Sequence, residues 1–173
     1  MKNKKQTEAR YFHYTTKSAI SQIVHSGEIK LATAYLITGE RPAVWLSTNE
    51  EFEMIAQKPE LKPAHQLVTG EISLQEYVNN YQLAPIDEYM EKHAARIEVN
   101  PKKLKIVNWK RFKKLSYIHP LIYKNLHQDG LNKGANPDEW FAVFNPIYIN
   151  DWLSVEVYEN GEWRELIKLK ITA

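Results

Sequence analysis

Tyr11-Phe12-His13-Tyr14-Thr15-Thr16, followed directly by residues 17–26 and then Gly27, is the stretch whose reading decides the fold. Residues 11–14 put aromatic side chains at three of four positions, which suits a pleated, half-buried strand. Thr15 or Thr16 can cap a helix. Ala19, Ile20, Ile23 and Val24 then recur at helical spacing, and Gly27 is well placed to end that helix. Ile29 and Leu31 begin another extended piece.

Working outward, Ala43-Val44-Trp45-Leu46-Ser47 reads as a buried strand, after a loop over 32–42 that contains Gly39 and Pro42. A short helix follows over 50–57, capped by Thr48 or Asn49. Pro59, Pro63 and Pro85 break up the middle of the chain, where the best helical segments are 73–80 and 86–93. Residues 95–99 alternate apolar and charged side chains, as a half-exposed strand does. Residues 104–107 read as a further strand. A helix over 109–127 must be started, kinked or divided by Pro120. Gly130, Gly134, Asn136 and Pro137 read as a loop. Strands then follow at 139–144, 153–158 and 163–171, with Asn160-Gly161 as a hairpin turn. The pattern predicts one α+β domain over residues 1–173, with a mixed, mainly antiparallel sheet and flanking helices, and a loose tail over 1–10.

Composition bounds the function. The 173 residues fit one domain, and a 43% hydrophobic share argues against large-scale disorder. The absence of cysteine excludes a disulfide framework, thiolate metal sites and a cysteine nucleophile. No apolar run reaches the roughly 20 residues that span a membrane, and no apolar signal core follows the basic start, so a soluble cytoplasmic chain is expected. The net charge of +2 does not by itself point to nucleic acid. Lys110, Arg111, Lys113 and Lys114, interleaved with Trp109 and Phe112, read either as a solvated helix face or as a patch that contacts phosphates.

Motif tests are mostly negative. The chain has no Walker loop, no G-x-G-x-x-G, no H-E-x-x-H and no G-x-S-x-G. Its six histidines show no tight ligand spacing, so no metal is expected. The pairs Glu50-Glu51 and Asp138-Glu139 are adjacent, and strand neighbours point to opposite faces, so neither pair makes an acid/base dyad alone.

Three blocks together resemble the ADP-ribosyltransferase superfamily, closest in outline to DarT-type and toxin-like bacterial members. The first is the H-x-T strand His13-Tyr14-Thr15 with its helix and the exit from Ile23 to Ile29. The second is Ala43–Ser47, a core strand ending in a small hydroxyl residue. The third is Asp138-Glu139-Trp140-Phe141-Ala142-Val143, an acidic residue before an apolar strand, followed by Pro146-Ile147 and Trp152. The resemblance covers most of the chain in outline, while residues 57–94 match nothing.

The resemblance implies a split sheet and an NAD-dependent transferase that modifies a macromolecule, as a toxin or phage-defence effector. NAD would be cleaved between nicotinamide and ribose through a transition state with oxocarbenium character. Glu139 would be the catalytic carboxylate, placed where positive charge develops. His13 would bond a ribose hydroxyl, with Thr15 steadying the adenosine half and Tyr14 stacking or packing. Ser47 would sit at the mouth of the site, Trp45 and Phe52 could stack on nicotinamide, and Arg96 or Arg41 could pair with the pyrophosphate. For each, an ordinary packing, capping or surface role is the competing account. The pocket tyrosine of the family has no diagnostic match among Tyr35, Tyr77, Tyr81, Tyr89 and Tyr117. The expected partners are NAD, an acceptor with nucleic acid favoured over protein, and an antitoxin or regulatory protein. The alternatives are a non-catalytic ligand- or partner-binding domain, an NAD glycohydrolase and an enzyme like the RNA 2′-phosphotransferases.

Overall fold

The computed structural model describes residues 8–34, 36–57, 70, 73 and 84–168. The chain order among them is β1 (Tyr11–Thr16), α1 (Lys17–Ser26), β2 (Glu28–Ile29), β3 (Val44–Ser47), α2 (Ile86–His93), β4 (Ala94–Val99), β5 (Val107–Asn108), α3 (Trp109–Leu115), α4 (Pro120–Asn132), β6 (Trp140–Val143), β7 (Ile147–Tyr148), β8 (Trp152–Glu159) and β9 (Glu162–Lys168). Seven strands form one sheet in the order β5-β6-β3-β1-β4-β8-β9, and β2 pairs with β7 in a second small sheet. These pairings are antiparallel, so the fold is α+β.

Local chemistry explains the element ends. Thr16 caps α1 by accepting from Ala19 N at 3.2 Å, and Gly27 ends the helix in the left-handed region at φ 68°. Asn160 (φ 54°) and Gly161 (φ 80°) form the β8–β9 turn, and the Glu91 carboxylate of α2 receives both of their backbone N–H groups. Pro120 divides the helix expected over 109–127 by opening α4, since it needs no donor at a first-turn position.

The sheet buries both faces. On one face, Ile97, Val99, Val155, Leu46, Val44 and Val143 pack with Ile20 of α1 and with Ile29 and Ile147 of the small sheet. On the other, Trp140 and Ala142 pack against Trp109 and Phe112 of α3, while Phe52, Tyr89, Met90 and Ala94 form an adjoining cluster. β4 is therefore not the half-exposed strand that its alternation predicts. Arg96 is 5% exposed, and its Nε and Nη2 both meet Glu156 Oε2 at 2.6 Å. A charge at a strand position is compatible with burial when its partner is buried beside it.

Other expectations need correction. The helix expected over 50–57 is a 3-10 turn over Met54–Ala56, because Asn49 Oδ1 draws the N–H groups of Glu51 and Phe52 into a side-chain turn. Residues 104–107 contribute only Val107 to a strand. Gly130 is no loop residue but the buried close-approach point of α4. A Cβ there would meet Trp140 Cη2 at 2.2 Å and Cζ2 at 2.5 Å. The helical segment expected over 73–80 lies outside the described residues apart from Ser73, and 86–93 is α2.

Gly130→Ala should lower stability by about 1–3 kcal/mol despite alanine's better helix propensity, because the indole cannot yield that far. Thermal denaturation checks the sign. Arg96→Met should cost about 3–5 kcal/mol by leaving buried Glu156 with only the Ser154 hydroxyl and the more distant Arg10, with much of the loss recovered when Glu156→Leu is added. Equal losses in the single and double variants would refute this account.

Candidate functional site

The sheet order makes β6, β3 and β1 neighbours. The strands bearing Glu139's neighbour Trp140, Ser47 and His13 thus lie side by side, although they come from opposite ends of the chain. β3 and β6 pair through four residues, from Val44↔Val143 to Ser47↔Trp140. β1 and β4 pair through six. β1 and β3 share one registered pair, Phe12↔Ser47. Beyond that pair the ladder is replaced by a side chain: His13 Nδ1 lies 3.0 Å from the carbonyl oxygen of Trp45. A carbonyl can only accept, so Nδ1 carries the proton of this bond. The imidazole therefore stands at a seam where the sheet is weakly laced.

Glu139 closes the 3-10 turn Pro137–Glu139, which Asn136 caps by accepting from Asp138 N. Its carbonyl receives Thr48 N at 3.0 Å, which holds it directly beyond the end of β3. Since Ser47 is level with Phe12, Thr48 and Glu139 are level with Tyr11. Strand spacing and rise then give a backbone separation of about 12 Å between Glu139 and His13. On the His13 side of the sheet, Tyr11 meets Phe141 edge-on at 5.0 Å, so the two strands already exchange side-chain contacts across β3.

Beneath the β3 end lies a group the sequence did not single out. Ser47, 2% exposed, donates its Oγ proton to Glu53 Oε2 at 2.7 Å. Ser47 Oγ also accepts from Asn49 N at 3.1 Å. Glu53 is itself 6% exposed. Burial pushes its carboxyl above the usual range, against the opposing pull of Ser47, and the Glu139 charge adds to the upward shift. Among the described residues, the indole N–H of Trp140 has no partner within ordinary hydrogen-bond distance and angle, yet it lies near enough to Glu53 to favour the ionised form. Glu53 was concealed by its setting in Glu50-Glu51-Phe52-Glu53, which reads as a solvated acidic run. Its spacing of six from Ser47 is the only trace.

Several expected site residues are engaged elsewhere. Tyr14 lies on the opposite face from His13, donates to Asn49 O, and packs edge-on to Phe52 at 5.3 Å. Burial, opposed by Arg96, pushes its phenol up to about 12. Phe52 is 4% exposed in the core and presents no face for a nicotinamide ring. Arg96 does not offer its fork to a pyrophosphate: besides Glu156 it reaches Tyr14 Oη and the Glu50 carbonyl, between the rings of Phe12 and Trp163. Arg41 sits over Phe144 at 4.3 Å and bonds the Leu115 carbonyl, away from His13. Ser47 is buried under Glu53 rather than placed at a mouth, and the Trp45 ring packs on Phe112 at 4.6 Å. Thr15, on β1 two residues from His13, pairs with Ala95 of β4. Of the tyrosines, Tyr89 is core and Tyr117 is exposed, while Tyr35, Tyr77 and Tyr81 lie outside the described residues.

Among the described residues, no group of three or more His, Asp or Glu side chains could hold a metal ion, and no helix is long and apolar enough to cross a membrane. No family model, curated protein or solved structure matches the chain.

The sign of Glu53's contribution is testable. With its folded pKa raised above 4.5, the native state keeps a proton that the unfolded chain has released. Stability due to this group is therefore full below about pH 4 and falls as pH rises to the folded pKa, then levels off. Glu53→Gln removes the charge and keeps one of the two acceptors that Ser47 and Ile55 use. Melting temperatures from about pH 4 to 8 should show the variant gaining on wild type as pH rises. A constant difference across that range would refute a protonated buried Glu53.

Proposed function

We propose that this chain is an NAD-dependent ADP-ribosyltransferase acting on a macromolecular acceptor. The observation that carries the reading is the adjacency of β1, β3 and β6, which gathers the three resembling blocks around one seam. In this reading the His13 ring, fixed by Trp45 O, bonds a ribose hydroxyl of NAD. Glu139, rooted by the bond from Thr48 N to its carbonyl, holds its carboxylate against the positive charge that develops on the ribose carbon as nicotinamide leaves. The same carboxylate can take the acceptor's proton as the new glycosidic bond forms. Glu53 lies behind it, and burial raises its carboxyl above the usual range.

One observation favours a second reading, a non-catalytic ligand- or partner-binding domain. Arg96 is closed off by its buried pairing with Glu156, and exposed Arg41 lies over Phe144, so a nucleotide at the His13 seam would lack the cations first assigned to it.

Labelled NAD, incubated separately with RNA, DNA and protein pools, discriminates between the two. Wild type should transfer label to one pool, and Glu139→Gln should cut the rate by about 100-fold or more. NAD should also raise the melting temperature, by a shift that His13→Ala removes. Nicotinamide release without a labelled acceptor would make the protein a glycohydrolase. No label, no release and no thermal shift at millimolar NAD would leave the binding domain.

A further inference from the structure

The chain contains one Asn-Gly pair, Asn160-Gly161, at the tip of the hairpin that joins β8 to β9. Both residues are exposed and both hold positive φ, 54° and 80°, the backbone that a tight hairpin turn demands. Asn-Gly is also the dipeptide in which an asparagine side chain is most open to attack by the next backbone nitrogen, because glycine has no Cβ to obstruct it. Covalent chemistry is therefore built into the turn, and its surroundings decide how readily it proceeds.

Those surroundings are α2. Glu91 Oε1 accepts the Asn160 N–H at 2.9 Å, and Oε2 accepts the Gly161 N–H at 3.3 Å. The Asn160 bond, joined by that from Gly161 and by the charges of Lys17 and Arg164, draws the carboxyl below its usual range. The group is therefore charged and a poor base. Lys17 fastens the same turn of helix by donating to the Glu91 carbonyl at 2.6 Å. An amide proton held by a carboxylate is hard to remove, since the amide anion would form against a negative charge. The nitrogen that would attack is committed to Glu91 for as long as α2 lies against the hairpin.

We propose that Asn160 is a deamidation site guarded by Glu91, and that it reacts when α2 parts from the hairpin. In the reaction Gly161 N bonds to Asn160 Cγ, the Cγ–Nδ2 bond breaks, and the Gly161 proton leaves with that nitrogen as ammonia. Water then opens the cyclic imide at either carbonyl, giving aspartate or an isoaspartyl linkage. The isoaspartyl form carries the main chain through an extra methylene, which the tight turn cannot absorb without changing its backbone. Either product sets a carboxylate beside Glu91, with Glu159 and Glu162 next along the chain, and like charges so placed repel. The change does not stay at the tip. Trp163 donates to Glu51 O at 2.8 Å and lies 4.2 Å from the Arg96 carbon centre, so a loosened hairpin reaches the buried pair of Arg96 and Glu156. This chemistry needs neither NAD nor an acceptor and stands apart from the transferase reading.

Peptide mapping by mass spectrometry, with enzymatic methylation to mark isoaspartate, follows the reaction in the folded protein and in a peptide of residues 157–164 in the same buffer. A reaction that requires local opening scales with the open population, so folded wild type should deamidate at least about tenfold slower than the peptide. Glu91→Ala should react about three to ten times faster than wild type. Glu91→Gln, which removes the charge and keeps one of the two acceptors, should fall between them. Thr16→Ala removes the α1 cap and lowers global stability away from the hairpin, so it should leave the rate at Asn160 unchanged. Aged wild type should melt below fresh protein, whereas Asn160→Gly, which suits the turn but cannot deamidate, should keep its melting temperature. Equal rates in wild type and Glu91→Ala, a wild type as fast as the peptide, or Thr16→Ala accelerating as much as Glu91→Ala would each overturn the proposal.

Discussion

The Arg96 guanidinium is the element on which most of the sheet depends. It lies between the rings of Phe12 and Trp163, each 4.2 Å from its carbon centre, and Glu156 balances its charge. Its remaining donor reaches the Glu50 carbonyl and Tyr14. One side chain therefore joins β1, β4, β8, β9 and the segment after β3. Arg10 extends the arrangement, stacking over Phe12 at 4.8 Å and forking onto Glu98 at 3.0 and 2.7 Å. A buried charge is tolerable only when each donor and acceptor is met. This polar seam therefore fixes register as well as contact: a slip of one residue would reverse every charge to the apolar face.

β1 is laced to β4 through six registered pairs and shares one with β3. Backbone carbonyls demand donors wherever the ladder stops, and His13 supplies one for Trp45. The imidazole is thus structural and positioned at once. A histidine locked by one nitrogen to the backbone has a fixed ring plane, which any ligand entering the seam would meet as a preorganised surface.

On the opposite side of β3, a second column runs from Gly130 through Trp140 to Glu53 and Ser47. Gly130 admits the indole, the indole backs the carboxyl, and the carboxyl accepts the serine's hydrogen bond. α4 is thereby coupled to the end of β3 where Glu139 is anchored. Packing against the α4 backbone reaches the candidate carboxylate through two side chains and one strand.

Much of this architecture was legible in the chain. The Thr16 cap, the Gly27 stop, the break at Pro120 and the Asn160-Gly161 turn are set by intrinsic dihedral and hydrogen-bonding preferences, which act within a few residues and need no tertiary partner. The α+β class and the strands near 11–16, 44–47, 94–99, 140–143, 152–159 and 162–168 follow from short-range patterning in the same way. Only the tertiary structure decided that Arg96 is a core ion rather than a ligand for phosphate, that Glu53 is buried while its neighbours Glu50 and Glu51 are not, that Gly130 belongs inside a helix, and that β6, β3 and β1 lie side by side. Each depends on residues tens of positions apart. Burial, desolvation and the pairing of charges are properties of the neighbours a side chain finds in space, and a periodicity read along the chain does not carry them.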